Sequence, residues 1–298
     1  MTKVRSTDGS MIDDRRGRGG GGFGGLGGGL PFPIKAGGGL VGILVLLAAT
    51  LLPRLLGSGD TGQGLSAGDG SAAADVADGT CNSALEQIVC GATEDVQTFW
   101  SAAVPRFWPD YSYTPTKTVF FSGATSTGCG GASSETGPFY CPADQLVYID
   151  LDFMQELERR LIGATSDLAE QYIVAHEYGH HLQNLLGFNT MVESAEQTQP
   201  DKVNQYSIAL ELQADCFAGV WVADVAARGL LDSSAELAEA LAAAEGVGDD
   251  RIQQKTTGRV DPETWNHGSA EQRQTWFQRG FDTADPTHCN TFDDIISG

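Results

Sequence analysis

The pattern of apolar and polar positions divides the chain near residue 80. Before that point there is no helical or strand periodicity. Residues 1–35 are basic and rich in glycine, nearly unbroken from Gly19 to Gly29, too poor in side chain to offset the entropy of ordering. They read as a disordered tail. Residues 36–56 are largely apolar, with Arg54 near their end, and read as one transmembrane helix of marginal length. Residues 57–79 are Gly, Ser, Ala and Asp, a flexible linker. From residue 80 to 298 the pattern becomes that of a folded domain. Periodicity and caps predict a helix over 83–104 broken near Gly91, a strand over 116–121, a Gly/Ser/Thr loop over 123–137, and a strand over 145–151. They go on to a short helix over 153–161 and longer helices over 166–186, 203–228, 234–255 (interrupted at Gly246 and Gly248) and 269–281. Ser269 and Gln272 are spaced as a capping box for the last. The fold class is α+β, mainly helical with a small sheet, behind one membrane span.

Charge sharpens this division. The tail carries Lys3, Arg5, Arg15, Arg16, Arg18 and Lys35 against Asp8, Asp13 and Asp14, while the whole chain holds 39 acids against 18 bases, a net −21. A domain so acidic argues against nucleic acid as a partner. A basic tail before an apolar segment predicts a cytoplasmic N-terminus, a single pass through the cell membrane and an extracytoplasmic domain. All six cysteines follow the apolar segment, and none forms a Cys-x-x-Cys pair, which favours disulfides over a zinc knuckle. Six cysteines allow 15 pairings. Cys129–Cys141 is favoured because it closes a small loop, then Cys216–Cys289, with Cys81–Cys90 by elimination; reduced core cysteines remain open.

The chemistry concentrates in His176-Glu177-Tyr178-Gly179-His180. Two histidines four apart lie on one helix face and can share a zinc ion, each through one nitrogen. Glu177 lies beside them, where a carboxylate can take the proton of a water acidified by zinc. His181 is turned about 100° around the helix from His180 and is assigned to packing or hydrogen bonding. On the next long helix Glu211 and Asp215 are also four apart, among Leu210, Leu212, Ala214 and Phe217. This spacing resembles the Glu-x-x-x-Asp arrangement of the gluzincin peptidases. That resemblance implies Glu211 as third zinc ligand and Asp215 as the carboxylate that orients a ligand histidine; two His and one Glu leave a position for water.

The stretches 176–187 (His-Glu-Tyr-Gly-His-His-Leu-Gln-Asn-Leu-Leu-Gly) and 210–221 (Leu-Glu-Leu-Gln-Ala-Asp-Cys-Phe-Ala-Gly-Val-Trp), with segments 137–144, 248–253 and 267–273, resemble the bacterial neutral zinc metallopeptidase family. The resemblance covers roughly 80–295. It implies a gluzincin-like fold, a single-pass membrane protein, Zn2+ as cofactor and a peptide or protein as substrate. By analogy with gluzincins, His267 is a candidate to stabilise the oxyanion, with Tyr178 and Tyr206 as weaker ones. The expected function is a zinc metallopeptidase, an endopeptidase rather than an exopeptidase, with Glu177 as general base and the strand over 145–151 beside the cleft to pair with substrate. Two alternatives stay open: a membrane-tethered binding or scaffold protein with a structural zinc site, and a zinc hydrolase of a non-peptide amide.

Overall fold

The computed structural model describes residues 2–17, 79–157, 166–231 and 234–296. Strand β1 (Ile12–Asp14) is followed by helix α1 (Ala84–Phe107) and strand β2 (Thr118–Phe121). Strands β3 (Ala124–Thr127), β4 (Gly130–Ser133), β5 (Phe139–Cys141) and β6 (Leu146–Asp150) come next. Helices α2 (Leu151–Leu157), α3 (Asp167–Leu186), α4 (Phe188–Thr198), α5 (Val203–Ala227), α6 (Ser234–Gly246), α7 (Asp249–Thr257), α8 (Ala270–Thr283) and α9 (Thr291–Ile296) complete the order. The mainly helical α+β expectation holds.

The four-stranded sheet has the order β1-β2-β6-β5, parallel except for β5. Strand alternation puts Phe120, Val147, Ile149 and Tyr140 on the face that packs against the helices. The opposite face carries Val119, Phe121, Phe139, Cys141 and Tyr148, covered by Ala132 of the β3–β4 hairpin. That hairpin stands where the sequence reads as a loop. Its residues are small and polar, so no apolar alternation announces them. β6 pairs with β2 on one side and β5 on the other, so the strand expected to receive substrate has no free edge. The outer strand on that side is β5.

Helix α5 is the axis of the helical layer: Ala209 through Val222 are all buried. It packs between α3 and α8. Helix α1 runs unbroken through Gly91, contrary to the expected interruption. Gly91 instead makes room for the N-terminal segment, since a Cβ there would lie 2.6 Å from the Arg5 Cα. Helix α4, with Val192 its one buried residue, and the short α9 were not expected. The three disulfides pair as favoured, Cys81–Cys90, Cys129–Cys141 and Cys216–Cys289.

Two expectations about the N-terminus are corrected. Residues 2–17 are not a disordered tail. β1 adds to β2 in register Ile12 to Thr118, the Lys3 amide donates to the Leu230 carbonyl at 3.0 Å, and Gln171 on α3 both accepts from Thr2 Oγ1 (2.9 Å) and donates to the Val4 carbonyl (2.6 Å). Arg5 pairs with Asp167, and Arg16 with Asp14 and Glu86. Of the basic residues read as a membrane-orienting tail, Arg5 and Arg16 are partners for acids of the domain. A single crossing between them would hold residues 2–17 and the domain on opposite sides of a membrane, and here they form one sheet. Among the described residues no helix is long and apolar enough to cross a membrane. The single-pass topology, N-terminus inside and domain outside, is therefore overturned. The segment 36–56 read as the span, and the linker up to residue 78, lie outside the described residues.

Candidate metal centre

Local sequence sets the frame of the site. Ser166 caps α3 by accepting from the Ala169 amide, and Gly187 ends it in the left-handed conformation at φ 83°. His176, Glu177 and His180 fall in the protected middle of this helix. Gly179 faces α5, and a Cβ there would stand 3.0 Å from the Ala214 Cα. The missing side chain lets α3 and α5 approach closely enough for Glu211 to reach the histidines.

His176, His180 and Glu211 converge. The two Nε2 atoms are 3.2 Å apart; Glu211 Oε2 is 3.3 Å from His176 Nε2, and Oε1 is 3.5 Å from His180 Nε2. Donors placed about 2.0–2.1 Å from a tetrahedral zinc ion stand roughly 3.3 Å from one another, so the triangle has the size the ion requires. The outer nitrogens agree. His176 Nδ1 meets Asp215 Oδ1 at 2.8 Å, and His180 Nδ1 meets Gln183 Oε1 at 2.9 Å. Acceptors at both Nδ1 atoms place the protons there and leave both Nε2 lone pairs for a metal. The residues present therefore fit zinc.

Glu177 is buried beside the triangle, and among the described residues none hydrogen-bonds its carboxylate. Burial raises its pKa, partly offset by His176 and His180. Burial also opposes ionisation of Glu211, yet His176, His180 and His267 together hold its pKa well below the usual carboxylate range. Without metal, burial lowers the His176 pKa but Asp215 and Glu211 outweigh it and push the value up to about 10. A divalent cation would take the place of that proton.

A family model described as "Putative neutral zinc metallopeptidase" matches residues 1–292. The chain belongs to this family. The match is longer than the resemblance read from the motifs, because it takes in the N-terminal segment that β1 builds into the sheet. Within the family, the chain is 41% identical over 284 residues to the uncharacterized protein YpfJ of Escherichia coli K12, covering 94% of this chain and 95% of that one. It is 46% identical over 207 residues to the uncharacterized protein Rv2575 of Mycobacterium tuberculosis, covering 66% and 67%. No solved structure matches the chain.

The other sequence candidates sort themselves by partner. His267 is half-buried, its Nδ1 3.0 Å from Asp249 Oδ1, and it is close enough to Glu211 for each to feel the other's charge. Asp249 Oδ2 also accepts from the amides of Asn266, His267 and Gly268, which fixes the loop that presents the ring. Tyr178 faces away, bonding to Thr118, and Tyr206 accepts from Gln199. His181 is buried against the Tyr140 hydroxyl and the Thr114 carbonyl, outside the metal triangle.

The sequence reading missed Gln183, Asp249, Tyr172 and Arg273 as parts of the site. Gln183 had a signal, three residues beyond His180 on the same helix face. Arg273 closes the segment 267–273 that carries part of the resemblance, but no spacing ties it to the ligands, because it arrives from α8, far along the chain.

Proposed function

We propose that this protein is a zinc-dependent peptidase of the gluzincin type, acting on internal bonds of peptide or protein substrates. The donor triangle of His176, His180 and Glu211 carries the reading, with the buried Glu177 carboxylate next to it. Zinc, when bound, supplies Lewis acidity toward the scissile carbonyl and toward an attacking water. Glu177 takes the water's proton and passes it to the departing amine; the burial that raises its pKa brings it closer to a pH at which it can do both. Burial lowers the His267 pKa, but the Asp249 hydrogen bond and the Glu211 charge outweigh it and raise it; the protonated ring, with Nδ1 anchored on Asp249, donates from Nε2 to the carbonyl oxygen as it gains negative charge. Helix α3 packs against β5, the outer strand of the sheet. An extended peptide pairing along β5 is the binding mode this reading assigns to the substrate, and a peptide held along a strand on both sides of the cleaved bond is cut internally.

Glu177→Gln tests the reading. Zinc content should stay at the wild-type level, while cleavage of a casein or peptide-library substrate falls about 10²–10⁴-fold, the usual contribution of a general base. Full activity in that variant sinks the proposal.

A further inference from the structure

The charged partner of the ligand histidine is itself held by a residue from a distant helix. Arg273 is 4% exposed. Its Nε donates to Asp215 Oδ2 at 2.7 Å and its Nη2 to Asp215 Oδ1 at 2.9 Å, a two-pronged grip on the carboxylate. Asp215 Oδ1 also receives the Tyr172 hydroxyl at 2.5 Å and faces His176 Nδ1 at 2.8 Å. Arg273 Nη2 reaches the same tyrosine oxygen at 3.3 Å. The carboxylate is therefore fixed in plane and rotation before it meets the imidazole.

The fold makes a specific provision for this reach. Helices α5 and α8 cross at two glycines: a Cβ on Gly219 would lie 2.0 Å from the Phe277 carbonyl oxygen, and one on Gly280 would lie 2.0 Å from that of Cys216. Only backbone separates the helices there. Cys216, the neighbour of Asp215, is bonded to Cys289 just beyond α8. Ser269 and Gln272 close a capping box at the start of α8 and set the turn from which Arg273 projects.

We propose that Arg273 is a positioning residue for the metal site. It orients the Asp215 carboxylate so that His176 keeps its proton on Nδ1 and offers Nε2 to the metal. A lysine could supply the charge but not the fork, so the conservative variant separates geometry from charge. This rests on the zinc-site reading above.

The test uses the whole chain with its disulfides, stripped of metal and titrated with Zn2+ against a chromogenic chelator. Arg273→Lys is expected to bind zinc about 10–100-fold more weakly than wild type, the usual loss when a partner of a ligand histidine is disturbed. Nitrogen NMR of the zinc-loaded proteins, where Nε2 is taken by the metal, is expected to show the His176 Nδ1–H as a single sharp resonance in wild type and as an exchange-broadened one in the variant. In an Asp215→Asn background the same Arg273→Lys change is expected to add no further loss, because Arg273 acts through that carboxylate. Arg273→Gln gives the same comparison should the lysine variant not fold, and circular dichroism confirms folding of each protein compared. Wild-type zinc affinity in a folded Arg273 variant, or losses that add in the double variant, would overturn the proposal. A wild-type chain that binds no zinc would instead overturn the zinc-site reading itself.

Discussion

His176 and His181 sit five residues apart on one helix and are both buried, yet they stand in opposite electrostatic surroundings. His176 faces α5 and α8, where Asp215, Glu211 and Arg273 form a charged network. His181 faces the sheet, where its partners are the neutral Tyr140 hydroxyl and the Thr114 carbonyl oxygen. Tyr113, partly buried, stands edge-on to its ring. Without metal the first environment raises the imidazole pKa and the second lowers it. The residue type decides little here. The partners brought from other elements decide which ring can bind a cation and which serves as a neutral post in the core.

Alanine at each position gives the sharpest break of that comparison. His176→Ala should abolish zinc binding in a chelator titration and leave the fold intact. His181→Ala should keep wild-type zinc affinity and lose about 1–3 kcal/mol of stability in urea unfolding, since Tyr140 and Thr114 are left without their partner. Equal zinc affinity in the two variants would erase the distinction.

The disulfides extend the comparison to whole regions. Cys216–Cys289 joins residues 73 apart beside the charged wall, and Cys129–Cys141 joins residues 12 apart, tying the turn of the hairpin to β5 on the far face of the sheet. Chain entropy alone predicts losses of about 4 and about 3 kcal/mol on replacing each pair with serine. The first should also weaken zinc binding, because Cys216 adjoins Asp215. The second should leave it unchanged. Unfolding curves paired with zinc titrations measure both.

The smallest expected effect is a pair of opposed pH slopes in the metal-free protein. The folded pKa of His176 lies above the unfolded value of 6.5, so its contribution is fully present below 6.5 and is lost as pH rises toward about 10. His181 runs the other way. Its folded pKa is depressed by burial, so the unfolded chain binds the extra proton and stability is lost as pH falls below 6.5. Asp215→Asn should flatten the alkaline slope and His181→Gln the acidic one, read from unfolding midpoints across the range. An alkaline slope unchanged in Asp215→Asn would show that the carboxylate is not what holds the proton on His176.

The helices of the site were legible for local reasons. Ser166, Gly187 and the Ser269–Gln272 box act within a turn or two, and the i, i+4 pairs His176/His180 and Glu211/Asp215 need nothing but helical geometry. The N-terminal segment was misread because its composition carries no period. Val4 and β1 become ordered through α1, β2 and Gln171, residues remote in sequence. The hairpin and α4 were missed because they bury few large side chains.

The sequence by itself determined the family, the donor types and the spacing of the ligands along two helices, all properties of residues within a few positions of each other. Only the tertiary structure decided that the N-terminal residues share one sheet with the domain. It alone also decided that β5 rather than β6 is the outer strand, and that Arg273 grips Asp215 across a crossing of two glycines. Those facts rest on the distance between helices and strands far apart in the chain, a distance set by the packing of the core as a whole.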